Sequence, residues 1–126
     1  MANRQRLIDD PRNYLYKSYV EVVEKVRPKF FVMENVKGML SVAEQVKEDF
    51  RNIGYSVECH ILNAKEFGVP QNRERLIYIG NCIGVDNEQI FQEIFALSEC
   101  IPEHNLGDAL YALRELEASR VKNATE

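Results

Sequence analysis

Phe30-Phe31-Val32-Met33-Glu34-Asn35-Val36 is the stretch of sequence that decides the fold. It opens with a continuous apolar run of strand length, Phe30–Met33. Such a run is typical of a strand that is covered on both faces, as in a parallel sheet. The strand therefore predicts an α/β protein with further strands beside it.

A helix is predicted before this strand. Asp10 would cap it and Pro11 would take its first position, where a missing N–H costs nothing. It should end near Arg27, because Pro28 disfavours helical geometry in the residue that precedes it. Apolar residues at helical spacing predict one buried stripe: Leu15, Tyr19, Val22, Val23 and Val26.

The chain after the apolar strand predicts a helix at about 40–53 that stops at Gly54. Tyr55–Leu62 alternates apolar and polar residues, which indicates a half-buried strand. Arg73–Ile79 predicts another strand, and the loop 63–72 between them is too short for a crossover helix. These two strands should therefore be antiparallel neighbours. The helix at about 40–53 should bury Ala43, Val46, Phe50 and Ile53.

Two helices are predicted near the C-terminus. Asp86-x-x-Gln89 resembles a capping box for a helix at about 87–98, and a last helix is expected at about 107–118. The residues expected on their apolar faces are Ile90, Ile94 and Leu97 in the first helix and Leu106, Leu110, Leu113 and Leu116 in the second.

The composition indicates one small soluble domain. The chain has 126 residues, and 16 Lys and Arg against 20 Asp and Glu give a net charge of −4, which disfavours a sequence-blind nucleic-acid coat. Three unclustered cysteines predict neither a disulfide framework nor a zinc site, and they fit a reducing cytoplasm. No signal peptide, membrane span or metal site is predicted.

Polar residues at the ends of two predicted strands are candidates for chemistry. Glu34 directly follows the apolar run, where a partly desolvated carboxyl group could share a proton, or could simply cap the turn or pair with a lysine. Arg73 and Arg75 project from one face of a strand. They could bind an anionic or acceptor-rich partner, or they could display charge on an edge strand and discourage aggregation.

The family resemblance rests on motifs that occur here in the family's order over about residues 9 to 80. The most specific part of the resemblance is the GVPQ-x-R-x-R block at residues 68–75, because it follows the ENV motif at residues 34–36 with the spacing found in the family. Residues similar to the DNA cytosine-5 methyltransferase family are Asp10-Pro11-Arg12-Asn13-Tyr14-Leu15-Tyr16, Glu34-Asn35-Val36, Gly54-Tyr55-Ser56-Val57, Leu62-Asn63-Ala64 and Phe67-Gly68-Val69-Pro70-Gln71-Asn72-Arg73-Glu74-Arg75. Many members have glycine at the position of Asn13.

The resemblance implies transfer of a methyl group from S-adenosylmethionine to C5 of a flipped-out cytosine in duplex DNA, after a cysteine attacks C6. Glu34 would hold N3 and the exocyclic amine of the base. Arg75 would reach the carbonyl oxygen O2, and Arg73 would help to hold Glu34 or the nearby backbone. In a closed pocket these groups would stabilise the charge that develops on the ring.

The same resemblance implies supporting roles for Asn35, which would brace the catalytic loop, and for Gln71. It places Leu15 at a contact with the cofactor. The family's Gly-rich cofactor loop, its ribose-binding acidic residue, its Pro-Cys nucleophile and its target-recognition region do not occur in this sequence. The cysteines do not follow prolines, and Cys59 is expected to be a core residue.

The expected fold is therefore the C-terminal part of a Rossmann-like, S-adenosylmethionine-dependent methyltransferase sheet, with an antiparallel last strand pair. Residues 1–126 would form a partial catalytic domain that is inactive alone. It could be an expression fragment, a truncated gene or half of a split enzyme. The sheet would expose an unpaired edge at Phe30–Met33, which predicts self-association or a complementary subunit.

Several functional hypotheses stay open on the sequence alone. The first is a bacterial, cytoplasmic DNA methyltransferase of a restriction–modification system. The second is the tRNA-directed branch of the same family. The third is a non-catalytic regulatory or structural module that is derived from the family. The fourth, a generic α/β interaction domain with a charged edge strand, predicts that Glu34 and Arg75 lie far apart.

Overall fold

The computed structural model describes residues 13–116, with side chains from Leu15 onward. The predicted cap Asp10 and the predicted first helical residue Pro11 lie outside this range. The described elements are α1 (Asn13–Val26), β1 (Phe30–Val36), a 3₁₀ helix (Lys37–Val42), α2 (Ala43–Arg51), β2 (Ser56–Asn63), a 3₁₀ helix (Ala64–Phe67), β3 (Glu74–Asn81), α3 (Asn87–Glu99), α4 (Leu106–Leu110) and a 3₁₀ turn (Tyr111–Leu113).

The strands form one three-stranded sheet in the order β1-β3-β2, and β3 runs antiparallel to both neighbours. This confirms that β2 and β3 are antiparallel neighbours. Within the described residues, β1 lies at the edge of the sheet, and its neighbour is antiparallel rather than parallel. The protein is thus an α/β chain with a small antiparallel sheet.

The prediction that β1 is covered on both faces is wrong within the described residues. Phe31 and Met33 are buried, whereas Phe30 is 45% exposed and Val32 is 62% exposed. The reason is the alternation of side chains along a strand. One face packs under helices, and nothing in residues 15–116 covers these positions on the other face.

The buried face of the sheet packs against α1 and α2. Phe31 stacks on Phe50 of α2 with the ring centroids 4.3 Å apart, and Tyr19 of α1 meets both rings edge-on. On β3, Tyr78 and Leu76 are fully buried in the same layer. Burial of these large apolar side chains is the main stabilising term for this layer.

The predicted stripe of α1 is partly wrong. Tyr16 and Val23 are buried and Tyr19 is half-buried, whereas Leu15, Val22 and Val26 are exposed. The helix is turned so that the Tyr16 hydroxyl donates a hydrogen bond to Asp49 of α2 over 2.8 Å. A stripe that is centred on Tyr16 and Val23 therefore faces the core.

The predictions for α2 hold, except that the α-helix is shorter than the predicted 40–53, since it begins at Ala43, after a 3₁₀ segment, and ends at Arg51. Ala43, Val46 and Phe50 are buried, and Ile53 packs against them. Gly54 has a φ of +91°, the left-handed conformation that ends the segment where the sequence places the stop.

Helix α3 covers the β2 half of the other sheet face. Asp86 caps it by accepting a hydrogen bond from the Glu88 N–H over 3.0 Å. Phe91 is fully buried, and Leu97, which was expected to face inward, is 63% exposed. The helix meets the sheet through Phe91, next to Ile90, and this contact turns Leu97 towards solvent.

The last predicted helix is shorter than expected. It spans only Leu106–Leu110, and its leucines are exposed, since no described element packs over them. The capping box at its start, Asn105 with Asp108, is a local signal that the sequence analysis missed. None of the helices within residues 13–116 is long and apolar enough to cross a membrane.

Candidate functional site

Glu34 and Arg75 form an ion pair across the β1–β3 ladder. Glu34 lies opposite Ile77 and Arg75 lies opposite Val36, so both side chains leave the same face of the sheet. Arg75 Nε is 3.0 Å from Glu34 Oε1, and the Glu34 side chain is 57% exposed against 28% for Arg75. The hypothesis of a generic α/β interaction domain predicts that Glu34 and Arg75 lie far apart, and this prediction is wrong.

Two contacts with the preceding residue, Glu74, stabilise the end of β3 that carries Arg75. Its Nη1 donates a hydrogen bond to the Glu74 carbonyl oxygen over 2.8 Å. The Glu74 carboxylate pairs with Lys37 Nζ over 2.6 Å. Because Lys37 follows β1 and Glu74 opens β3, this second ion pair fixes the same ends of the two strands that carry Glu34 and Arg75.

A hollow of about 260 Å³ lies beside the ion pair, and we call it the Glu34 hollow. Its walls are mainly apolar and its rim is charged. Drug-sized ligands take pockets of about 300–1,000 Å³, so this volume suits one small planar ring. The lining residues are Glu34, Leu62, Ala64, Phe67, Arg73, Arg75 and Ile77.

Three of the predicted site residues thus meet at the Glu34 hollow: Glu34, Arg73 and Arg75. Glu34 pairs with Arg75, and Arg73 forms part of the wall. Phe67, which opens the longest of the family-like motifs, supplies an aromatic wall. Leu62 is an apolar wall residue that the sequence analysis missed, although its β2 register opposite Arg75 is what brings it to the site.

The other predicted site residues lie elsewhere. Asn35 is half-buried on the opposite face of β1, where its Oδ1 accepts a hydrogen bond from the Val36 N–H over 2.8 Å. Gln71 is exposed in the loop before β3, and its N–H donates to the Val69 carbonyl oxygen over 2.7 Å. Leu15 lies on α1, which packs against the sheet face opposite to Glu34.

A cluster of side chains around His60 borders the Glu34 hollow on the same sheet face. His60 lies in one cross-strand row with Ile77 and Glu34. Its Nε2 is 2.8 Å from Glu88 Oε2, and its ring centroid is 4.6 Å from that of Phe91. The hydrogen bond from His60 is the main cause that lowers the pKa of Glu88 below its ordinary value. The cluster holds α3 against β2.

Cys59 is not placed for nucleophilic chemistry. It lies next to the core on the face opposite to Glu34, and burial is the main cause that raises the pKa of its thiol. A raised pKa reduces the thiolate fraction, and thiolate is the nucleophile. The expectation that Cys59 is a core residue holds in part, since its side chain is half-buried and packs against the core.

The resemblance implies S-adenosylmethionine as the methyl donor, and Leu15 is the one residue of the sequence that it places at a contact with this donor. Leu15 is the residue at the expected contact, and its side chain is 72% exposed. An exposed leucine side chain offers apolar contact and none of the hydrogen bonds that the donor's ribose and amino acid groups need.

The family model for the C-5 cytosine-specific DNA methylase matches residues 1–123. Type II methyltransferase M1.HphI of Haemophilus parahaemolyticus is 48% identical over 77 residues, which are 57% of this chain and 21% of that protein. Type II methyltransferase M.BspRI of Lysinibacillus sphaericus is 45% identical over 94 residues, which are 71% of this chain and 22% of that protein. The chain thus spans about a fifth of the length of these relatives.

The fold comparison agrees with the sequence comparison. A solved chain from an E. coli prophage, described as a DNA modification methyltransferase, superposes with a TM-score of 0.62 at 25% identity. The match covers 82% of this chain and 30% of the solved one. The protein described here therefore belongs to the C-5 cytosine-specific DNA methylase family.

Proposed function

We propose that the Glu34 hollow is the base-binding wall of a DNA cytosine-5 methyltransferase, in which a cytosine flipped out of duplex DNA is methylated at C5. The observation that carries this proposal is the Glu34–Arg75 pair, because a carboxyl group and a guanidinium converge on one apolar hollow. The polar edge of cytosine presents an amine donor, a ring nitrogen and a carbonyl acceptor. A carboxyl group and a guanidinium complement these groups.

The chemistry assigned to these side chains is charge stabilisation. When a nucleophile adds to C6, electron density moves onto the ring nitrogen N3 and the carbonyl oxygen O2. Glu34 would share a proton with N3 and accept a hydrogen bond from the exocyclic amine. Arg75 would donate to O2, and Arg73 would help to hold Glu34 or the nearby backbone. Such interactions are strongest in a site that excludes water.

Two further residues are proposed to support the site rather than to touch the base. Asn35 follows Glu34 on the other face of β1, from where it would brace the catalytic loop of the complete enzyme. Gln71 lies in the loop that leads to Arg73 and would support that loop. The nucleophile and the residues that hold the methyl donor, S-adenosylmethionine, are proposed to come from other parts of the complete enzyme, so that this chain alone is inactive.

The names and sources of the relatives support duplex DNA as the substrate. They are called Type II methyltransferases and come from bacteria. We therefore place the complete enzyme in the bacterial cytoplasm as the modifying partner of a restriction system. The tRNA-directed branch has no comparable support among these matches.

The outer edge of β1 is the proposed contact with the rest of the enzyme. Phe30, Val32 and Val36 are exposed on one face of this edge strand. Since the chain spans about a fifth of its relatives, the remaining length is the natural source of a covering strand, in one polypeptide or in a complementary subunit. In the isolated chain, the same surface favours self-association.

A chimera tests the proposed function. Residues 13–81 of this chain would replace the matching segment of M1.HphI, and methylation of cytosine C5 in plasmid DNA would be read by bisulfite sequencing. We expect the chimera to methylate DNA. Glu34→Ala should lower kcat/KM by about 10²–10⁴-fold, as loss of a proton-sharing group does. Arg75→Ala should cost about 10²-fold, because one charge-stabilising donor is lost.

The control variant is Glu48→Gln, which removes an exposed glutamate that pairs with Arg51 on α2. It should leave methylation unchanged. A folded chimera that keeps full activity with Glu34→Ala would exclude the assigned role of Glu34. Methylation of tRNA in place of DNA would exclude the DNA assignment.

A further inference from the structure

Asn63 connects both ends of the loop that forms part of the Glu34 hollow. It is the last residue of β2, and the loop 64–72 leads from it to Arg73 and β3. Its Oδ1 accepts a hydrogen bond from the Lys65 N–H over 3.2 Å at the start of the loop. The same oxygen accepts a second bond from the Arg73 N–H over 3.0 Å at the end of the loop.

Two more contacts join the two ends of this loop, at residues 63–64 and 72–73, which we call the neck. Asn63 Nδ2 donates to Asn72 Oδ1 over 2.5 Å. The Ala64 N–H donates to the Arg73 carbonyl oxygen over 3.0 Å. The Asn63 amide therefore uses both its acceptor and its donor on the loop, and its oxygen joins the backbone N–H groups of Lys65 and Arg73, which are eight positions apart in the sequence. A helix cap alone would need only the bond to Lys65.

The neck determines where two residues of the hollow lie. Arg73 has its backbone N–H and carbonyl oxygen bound at the neck, while its guanidinium has no ion pair or hydrogen bond with the side chains described, those of residues 15–116, or with the backbone of residues 13–116. Its position in the wall therefore depends on its backbone. Phe67 lies inside the loop, before Gly68 at a φ of +83°, so its place also follows from how the loop is closed.

We propose that Asn63 is a positioning residue that closes the neck of the 64–72 loop and so holds Arg73 and Phe67 in the wall of the Glu34 hollow. The closure of the loop stands on its own geometry, whereas its importance for base binding rests on the proposed function. The inference concerns the bond to Arg73 in particular, because the bond to Lys65 serves the local 3₁₀ helix.

Asn63→Ser separates these two bonds. A serine hydroxyl caps a helix start well, but it is too short to reach the Arg73 N–H as well. Amide hydrogen exchange of the complete 126-residue chain, read residue by residue by NMR, is the measurement. We expect Asn63→Ser to speed exchange at Arg73 by about fivefold or more, since one net hydrogen bond is lost there. Exchange at Lys65 should change less.

Three further variants make the test decisive. Asn63→Ala should speed exchange at both Lys65 and Arg73, whereas Asn63→Asp keeps an acceptor and should restore protection at both. Asn72→Ala should leave Arg73 protected. Unchanged exchange at Tyr78, which is fully buried, verifies that each variant is folded.

If Asn63→Ala speeds exchange at Lys65 alone, Asn63 is a simple helix cap and the proposal is wrong. If the Arg73 amide stays protected in Asn63→Ser, the proposal is also wrong. Neither measurement involves methyl transfer. An inactive chimera with the expected exchange pattern would therefore count against the proposed function and leave the role of Asn63 intact.

Discussion

At the residue scale, the Glu34–Arg75 pair is placed for chemistry more than for stability. Its carboxylate is more than half exposed, and water screens such pairs strongly. Glu34→Gln in the isolated chain should therefore change the free energy of unfolding by less than about 1 kcal/mol. Urea denaturation measures this change. A loss above about 2 kcal/mol would mean that the pair is structural.

Tyr78 is a second residue whose side chain can be tested alone. It is fully buried, and its hydroxyl has no hydrogen-bond partner within the described residues. Since an unpaired buried hydroxyl costs free energy, Tyr78→Phe should raise the free energy of unfolding by about 1 kcal/mol. Thermal denaturation is the measurement. A clearly less stable variant would indicate that the hydroxyl binds a partner outside residues 13–116.

At the element scale, the packing between β1 and β3 requires a glycine at position 80. A Cβ built on Gly80 would lie 2.3 Å from Phe31 Cε1, because the Phe31 ring covers the backbone of Gly80 in the neighbouring strand. Gly80→Ala should therefore destabilise the chain by about 3 kcal/mol through overpacking. Gly38→Ala is the matched control, since a Cβ there meets nothing within 4 Å. Equal urea midpoints for the two variants would contradict this account.

The contact between Glu88 of α3 and His60 of β2 gives a pH-dependent prediction. The hydrogen bond from His60, followed by that from Gln92, lowers the folded-state pKa of Glu88 below its ordinary value of 4.5. A lowered carboxyl pKa contributes stability above the ordinary pKa, and this stability is lost as the pH falls through the folded-state value.

Glu88→Gln should therefore be less stable than the parent chain near neutral pH, and the difference should shrink as the pH falls below about 4.5. Urea denaturation over a series of pH values measures it. Glu93→Gln, on the exposed side of the same helix, is the control and should follow the parent curve. A difference that stays constant down to acid pH would exclude the Glu88 carboxylate as its source.

At the scale of the whole molecule, the edge of β1 that no described strand covers gives a prediction about self-association. Phe30, Val32 and Val36 are exposed on one face of this strand, and the backbone of an uncovered edge strand is a template for pairing with another chain. The isolated chain should therefore sediment as a dimer or a larger species at crystallisation concentrations.

Val32→Lys should shift the isolated chain towards monomer, because a charged side chain on an edge strand opposes pairing. Leu97→Lys adds the same charge on the exposed side of α3 and should not change the sedimentation behaviour. A parent chain that sediments as a clean monomer would refute the role of the edge.

Local patterns were sufficient for much of the fold. The alternation of Tyr55–Leu62 and the short loop after it predicted antiparallel β2 and β3, and Gly54 marked the end of its segment. These features depend on residues that are close in sequence. The rotation of α1 and the inward face of α3 could not be predicted in the same way, since each has apolar residues on more than one side.

By itself, the sequence determined the family, because the ENV motif and the GVPQ-x-R-x-R block are short, ordered and chemically specific. It also determined that Arg73 and Arg75 share a face, since strand side chains alternate. Only the tertiary structure decided that Glu34 meets Arg75, that Leu62 and Phe67 wall the same hollow, and that Asn63 binds both ends of one loop. These contacts depend on the register of β1 and β2 against β3, and no local pattern encodes which residues of distant strands lie opposite each other.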